Sequence, residues 1–129
     1  MKLQLDIPEQ KIASLLCTAF EGGVGYWARI KRYITPENPY PYLEGSGGID
    51  KNVVGYADFP LHADGAVYLE DIEDNNKLYK LNLKSIRKGI AVMIKDYPTH
   101  FGDFMADNAD AITGDVFVQC CIFGDVKYG

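Results

Sequence analysis

Three glycines within four positions, Gly22, Gly23 and Gly25, separate a helical sequence pattern from a strand-like one. Glycine has no Cβ, so it permits φ > 0 and lets another group approach the backbone closely. Glu21 precedes these glycines, and Trp27, the only tryptophan of the chain, follows them. A turn of this kind either ends a helix or forms the floor of a binding site, and the sequence leaves both interpretations open.

The residues before the glycines predict a helix over about 8–21. Asp6 can serve as its N-cap, and Pro8 suits the first turn because no helical acceptor awaits its missing N–H there. Apolar residues then recur on one helical face, at Ile12, Leu15, Leu16, Ala19 and Phe20. The pair Gly22-Gly23 is expected to end this helix.

The residues after the glycines alternate as a strand requires, over 26–34. One predicted face holds Tyr26, Ala28, Ile30 and Arg32, and the other holds Trp27, Arg29, Lys31 and Tyr33. The cations on the second face either stack on the aromatic rings or meet an anionic ligand or an acidic partner. We therefore assign a candidate ligand- or partner-binding role to seven residues, namely Glu21, Gly22, Gly23, Gly25, Trp27, Arg29 and Lys31.

Three prolines, Pro36, Pro39 and Pro41, argue against a helix or a central strand in the next segment, because proline lacks a backbone donor. With the glycines of 44–48 they predict a loop of about 15 residues, a length that suggests function or mobility. Strand patterns follow over 53–59, 66–72 and 78–81, and a polar turn joins the last two. Four successive strands predict an antiparallel meander.

The C-terminal part of the chain reads as helices. Asn82 can cap a helix that Pro98 ends, and a shorter helical segment follows over about 99–107. Asp110 suits the N-cap of a last helix, and Gly124 suits the position just beyond its end. We therefore predict an α+β fold, in which an N-terminal helix and two or three C-terminal helices pack on an antiparallel sheet of about four strands.

Length and composition predict a single domain over 1–129, since 129 residues with 47% apolar content can bury a core of their own. The net charge is −5, and residues 37–75 hold one lysine against nine acids, which argues against general nucleic-acid binding. The sequence contains neither an apolar run of roughly 20 residues nor a signal-peptide core. Because the three cysteines also suit buried thiols better than disulfides, we expect a cytoplasmic protein without membrane association.

No local motif assembles a catalytic or metal site. His62 and Asp64 are the minimum of an acid–base pair, but no nucleophile lies near them in the sequence. Four acids around the last helix are expected on solvated faces or as N-caps, because the EF-hand pattern is missing; they are Asp103, Asp107, Asp110 and Asp115. The sequence therefore assigns no catalytic residue, no metal ligand and no cofactor, and it favours a protein that is not an enzyme.

Two distant motifs carry a family resemblance. The pattern E-G-G-x-x-Y-W occupies 21–27 after the first helix, and D-x-x-x-Q-x-x-x-F-G occupies 115–124. Between them lie K-G at 88–89 and Y-P-x-H-F at 97–101. Together they resemble a family of small uncharacterised proteins encoded by tailed phages and prophages. The resemblance covers most of the chain and is loosest over 36–80.

The resemblance implies a phage accessory protein in the cytoplasm of the infected host cell, and it carries over no catalytic residues. Small acidic phage proteins often counter host defence, as in anti-CRISPR action, either by inhibiting an effector complex or by acting as sponges for a signalling nucleotide. We therefore expect binding of a host protein or a small anionic ligand. The alternative is a small enzyme acting on nucleotides or nucleic acid through His62, Asp64 or the cations around Arg29.

Self-association is a separate expectation. Five aromatic residues lie within 17 positions, at Tyr26, Trp27, Tyr33, Tyr40 and Tyr42. Aromatic side chains are enriched in the centres of protein interfaces, and two-fold dimers are the commonest assembly. We therefore predict a homodimer or a higher oligomer.

Overall fold

A computed structural model of the chain describes residues 7–34, 60–62 and 64–129. Its elements, in chain order, are α1 (Glu9–Thr18), a π-helical turn (Ala19–Gly23), β1 (Ala28–Ile34), β2 (Ala66–Asp71), β3 (Lys77–Leu81), α2 (Leu83–Asp96), α3 (Pro98–Met105) and α4 (Ala111–Phe123). The α+β class and the order of helices and strands are confirmed. None of the helices in the described ranges has the length and apolar character that crossing a bilayer requires.

The sheet is antiparallel with the order β1-β2-β3, as a meander predicts. It has three strands in the part of the chain that the structure describes, rather than the expected four, and the strand predicted over 53–59 lies outside that part. Ala28 of β1 pairs with Asp71 of β2, and Asp71 pairs with Lys77 of β3. The predicted polar turn joins β2 and β3, and its residues Asn75 and Asn76 adopt the left-handed conformation at φ values of 53° and 59°.

The prediction that Trp27 shares a strand face with Arg29 and Lys31 is wrong, because β1 begins at Ala28, two residues after the predicted start. Trp27 lies in the preceding turn, where its backbone N–H donates to the Val24 carbonyl at 3.0 Å. A bulge in the β1–β2 pairing between Ile30 and Arg32 further interrupts the alternation around Lys31. On the other predicted face, Ala28 and Ile30 are buried, whereas Tyr26 is 49% exposed.

The helical conformation ends at the predicted glycines, since it runs through Gly23, but the way in which it ends differs from the prediction. It does not stop at the glycines through φ > 0; among the described glycines only Gly124 and Gly129 have positive φ, at 74° and 119°. The α-helical hydrogen bonds instead give way to the π-helical turn, which runs through Gly23. A Cβ on Gly23 would lie 2.4 Å from the Ala111 carbonyl oxygen, so glycine is needed here for close approach to α4.

The caps of the C-terminal helices follow the sequence. Asn82 and Ser85 form a reciprocal capping box at α2, and Asp110 accepts from the Thr113 backbone N–H at α4. Gly124 ends α4 in the left-handed conformation, as predicted. Pro98 follows the end of α2, but it also starts α3, since a proline is well tolerated at the first position of a helix.

Helix α4 is the centre of the core. Every residue from Thr113 to Cys121 is buried, while Ile122 and Phe123 at its end are partly buried. Glycines let the neighbouring helices approach closely, because a Cβ on Gly89 of α2 would lie 2.2 Å from Cys121 Sγ. Likewise, a Cβ on Gly114 would meet the Ala19 nitrogen at 3.0 Å. The core therefore depends on backbone contacts that no larger residue permits at these positions.

Candidate functional site

The seven residues predicted to bind a ligand or partner do not form one surface. Four of them are exposed, at Glu21, Gly22, Gly25 and Arg29. Gly23 and Trp27 are buried, and Lys31 is partly buried beside Glu70, with 3.6 Å between its Nζ and a carboxylate oxygen. That these residues bind a ligand stays a prediction, but the Trp27 ring is not accessible to one in this structure because its exposed fraction is 0%.

Trp27 is instead part of a buried polar and aromatic cluster. Its indole N–H donates to Asp115 Oδ1 at 2.8 Å, and the Tyr26 hydroxyl donates to Asp115 Oδ2 at 2.5 Å. The indole packs against the rings of Phe123 and Tyr128, with centroids 5.4 and 5.5 Å away. The expectation of a solvated Asp115 is therefore wrong, since the carboxylate lies in the core and receives hydrogen bonds there.

Gln119, one turn after Asp115, extends this cluster to the last residues of the chain. Its side-chain nitrogen donates to Asp115 Oδ1 at 2.9 Å and to the Tyr128 carbonyl at 3.0 Å. Its side-chain oxygen accepts from the backbone N–H groups of Lys127 and Tyr128 at 2.7 and 2.8 Å. Hydrogen bonds thus compensate a buried amide and a buried carboxylate that would otherwise destabilise the core.

A second buried carboxylate completes the cluster on the sheet side. Asp71, which is fully buried, accepts from the Tyr128 hydroxyl at 2.8 Å and from the Glu73 N–H at 3.0 Å. Desolvation, and then the hydrogen bond to Asp115, raises the pKa of Tyr26 to about 12. Tyr26 therefore stays protonated at neutral pH and keeps its role as a donor. The chemistry of this cluster is structural: it joins the glycine turn, the β2–β3 hairpin and α4.

Groups that could perform catalysis are poorly activated. Burial raises the pKa of the Cys120 thiol to about 12 and that of the Cys121 thiol well above its usual value, so neither is a thiolate at neutral pH. His100 Nδ1 lies 3.3 Å from the hydroxyl of Thr113, and His62 is exposed. In the described ranges, no three His, Cys, Asp or Glu side chains are grouped so that they could hold a metal ion.

The expectation that the sequence contains no catalytic motif overlooks Ser85 and Lys88, which have the Ser-x-x-Lys spacing of some acyl-transferring enzymes. The Ser85 hydroxyl is committed to the α2 cap, because it donates to Asn82 Oδ1 at 3.0 Å and the Lys80 carbonyl oxygen lies 3.2 Å away. It also accepts from the Asn82 backbone N–H at 3.4 Å. Ser85 therefore acts as a capping residue here.

Helix α2 presents an unusual charge distribution for a chain of net charge −5. It carries four cations and one acid, Asp96. Together with a lysine at the end of β3, these cations form what we call the basic face, namely Lys80, Lys84, Arg87, Lys88 and Lys95. All five are exposed, and the ion pairs found between described residues involve other lysines. Their charges are therefore available to an external anion.

Three of these lysines border a hollow of about 230 Å³ between β3, α2 and α4. Lys84 and Lys88 are four residues apart on α2, so they lie on one side of the helix, and Lys80 joins them from β3. We call this feature the lysine hollow; its remaining walls are Tyr79, Ser85, Cys121 and Ile122. The sequence contained one signal for it, the spacing of Lys84 and Lys88, but Lys80 and α4 meet them only in the fold.

On the other side of α2, a larger groove of about 360 Å³ separates α2 from the start of α1. Apolar side chains form most of its walls, including Ile12, Leu83, Ile86, Ile90 and Ile94. Glu9 of α1 and Arg87 of α2 are its charged residues. We call it the α1–α2 groove. One helix thus contributes to two concave surfaces, of which one is basic and one is apolar.

Comparisons of the chain with protein-family models, with curated proteins and with solved structures found no match. The resemblance to phage and prophage proteins therefore stays a prediction. Its two motifs are close in the fold, since Tyr26 and Trp27 of the first bond to Asp115 of the second. That closeness explains the motifs as parts of one buried cluster and assigns them no ligand.

Proposed function

We propose that this protein acts by binding, without catalysis, and that the lysine hollow holds an anionic group of its ligand or partner. The observation that carries the proposal is the convergence of Lys80, Lys84 and Lys88, none of which pairs with an acid within the described residues. Three like charges around one concavity repel each other, and a bound anion relieves that repulsion.

The size of the hollow indicates what it accepts. Its 230 Å³ is less than the roughly 300–1,000 Å³ of pockets that enclose a whole drug-sized ligand. A phosphate or carboxylate group at one end of a larger molecule suits it better. Lysine binds such groups as a mobile point charge with three donors, so no fixed ligand plane is required. Both partner classes expected from the sequence, a small anionic ligand and an acidic host protein, carry such groups.

A binding role also fits the resemblance to phage accessory proteins. An inhibitor of a host effector complex, or a sponge for a signalling nucleotide, needs affinity and no reactive group. The enzyme alternative has weaker support. It relies on His62, Asp64 and Arg29, which are exposed side chains, whereas catalytic groups are commonly activated by burial and close charged neighbours.

Pyrophosphate is a suitable probe for the lysine hollow, because it carries phosphate charge and nothing that could bind elsewhere by stacking. Isothermal titration at low ionic strength should give a salt-sensitive affinity. The double substitution of Lys84→Ala and Lys88→Ala should weaken it by at least about tenfold, since each hydrogen bond to a charged group contributes about 1.5–3 kcal/mol.

The matched control is Lys95→Ala combined with Lys77→Ala, which removes the same charge from two exposed lysines outside the hollow. It should retain the affinity for pyrophosphate. An equal loss of pyrophosphate affinity in both double variants would reject the hollow as the binding site and would indicate non-specific attraction of the anion to the positive surface. Mass spectrometry of nucleotides incubated with the protein tests the alternative, because a turnover product would favour the enzyme.

A further inference from the structure

The α1–α2 groove is an elongated apolar surface. Leu83, Ile90 and Ile94 lie along one side of α2, because their spacings of seven and four residues bring them onto one helical face. The distance from Leu83 to Ile94 along the helix is about 16 Å at 1.5 Å per residue. Ile94 is 37% exposed, although it borders the groove. An occupant can therefore contact apolar side chains over three turns of α2.

The basic face runs beside this groove over the same length. Lys84, Lys88 and Lys95 follow one another along a neighbouring strip of α2, and Arg87 lies between that strip and the groove. Glu9 occupies the opposite rim, on α1. Acidic groups of an occupant are therefore attracted towards α2 and repelled from α1, which fixes the side on which they must lie.

An occupant with these properties needs an apolar side for the groove and an acidic side for the basic face, both extended over several turns. An amphipathic α-helix with acids flanking its apolar stripe meets both requirements. A bilayer fits less well, because a flat surface cannot follow a concave groove that has walls on both α1 and α2.

We propose that the α1–α2 groove docks an acidic amphipathic helix of a partner protein. The apolar stripe of that helix contacts Leu83, Ile90 and Ile94, and its acids lie against Arg87 and the lysines of α2. The proposal rests on the proposed binding function and deepens it by naming the partner class. Its apolar contacts lie outside the lysine hollow, although Lys84 and Lys88 can serve both surfaces, so binding of a helical peptide and binding of pyrophosphate are measured separately.

Two synthetic 14-residue peptides with equal content of Leu and Glu test this docking. In the first, leucines recur at i, i+3, i+4 and i+7 with glutamates beside them; in the second, the order is scrambled so that no stripe forms. Both are cross-linked as helices, and fluorescence anisotropy measures their affinity for the full chain. The striped peptide should bind at least about tenfold more tightly than the scrambled one.

Two matched variants locate the contact. Ile94→Glu places an acid at the groove, and Ile112→Glu makes the same change at a residue of α4 that is 63% exposed and outside the groove. Ile94→Glu should lower the affinity for the striped peptide at least about tenfold and leave the affinity for pyrophosphate unchanged. Ile112→Glu should change neither affinity. Circular dichroism establishes that both variants remain folded.

Each other result overturns the docking proposal. Equal affinity for the two peptides would mean that charge alone attracts them. An equal loss of affinity for the striped peptide in Ile94→Glu and Ile112→Glu would exclude the groove as the docking site. If neither peptide binds at millimolar concentration while pyrophosphate binds, the docking proposal fails and the proposed function survives. If pyrophosphate does not bind either, the docking proposal and the proposed function are both rejected. If phosphatidylserine vesicles bind in a way that depends on Ile94 and neither peptide binds, the occupant of the groove would be a membrane surface and not a helix.

Discussion

The indole N–H of Trp27 donates to the buried carboxylate of Asp115 at 2.8 Å, although 88 positions separate the two residues. This bond joins the turn before β1 to the middle of α4. Its acceptor lies in the core, where the described structure provides donors rather than a cation to balance its charge. The stability of the carboxylate therefore depends on keeping each donor in place.

Substitution Trp27→Phe should destabilise the fold. It removes a donor from a buried carboxylate, and a hydrogen bond to a charged group contributes about 1.5–3 kcal/mol. It also leaves a space beside Phe123 and Tyr128, which adds a packing cost. Urea unfolding should show a lower midpoint at an unchanged slope. Tyr26→Phe is the comparison: it also removes a donor to Asp115, but Tyr26 is 49% exposed, so water can partly replace its hydroxyl and the loss should be smaller. An equal loss in both variants would contradict the special role of the indole donor.

Substitution Gly89→Ala should also destabilise the fold, because the new Cβ would lie 2.2 Å from Cys121 Sγ and 3.0 Å from Cys121 Cα. Overpacking of this kind costs about 1–3 kcal/mol. Gly102→Ala is the matched control, since a Cβ there meets nothing within 4 Å and alanine favours a helix by about 0.5–1 kcal/mol. The melting temperature should therefore fall for Gly89→Ala and rise for Gly102→Ala. A stabilised Gly89→Ala protein would disprove the close crossing of α2 and α4.

Alkaline pH should lower the stability of the fold, because Tyr26 loses the proton with which it bonds to Asp115. Its pKa is raised from 10.0 to about 12 in the folded protein, so the folded state holds the proton more tightly than the unfolded state. The resulting stabilisation is fully present below pH 10 and is lost as the pH rises from 10 to 12. Burial and hydrogen bonding also raise the pKa values of Tyr97 and Tyr128, so the contribution of Tyr26 must be isolated. The stability of Tyr26→Phe should fall less steeply over this range, and parallel curves would contradict the assignment.

Arg29→Ala tests the binding site predicted from the sequence. Arg29 is exposed on β1, so its removal should change the free energy of unfolding by less than about 0.5 kcal/mol. If the predicted site is correct, affinity for the protein's ligand or partner should fall by about 1.5–3 kcal/mol. Melting temperature and affinity are measured on the same variant, with Lys84→Ala as the comparison. Full affinity after Arg29→Ala would exclude that site in favour of the lysine hollow.

The oligomeric state can be measured directly. The predicted homodimer or higher oligomer should give a light-scattering mass of at least twice the chain's 14.4 kDa at high micromolar concentration. The half-exposed ring of Tyr26 is one aromatic surface that such an assembly could use, whereas Trp27 is buried. A mass of 14.4 kDa at that concentration would disprove the prediction.

The sequence by itself determined the features that depend on local chemistry. Asn82 and Asp110 cap α2 and α4 because their side chains accept from backbone N–H groups three residues later. Gly124 ends α4 because glycine adopts φ = 74° without strain. The polar turn between β2 and β3, and with it their antiparallel pairing, follows from residues that tolerate the left-handed region.

The tertiary structure alone decided which distant residues meet. Position 23 requires glycine because a Cβ there would clash with the Ala111 carbonyl oxygen. Asp115 can be buried because Tyr26, Trp27 and Gln119 donate hydrogen bonds to its carboxylate. Likewise, the lysine hollow exists only where β3, α2 and α4 come together. Local patterns report the backbone conformation that a few neighbouring residues prefer. Close approach, burial and charge convergence depend on packing between segments far apart in the chain, and that information is absent from any single stretch of sequence.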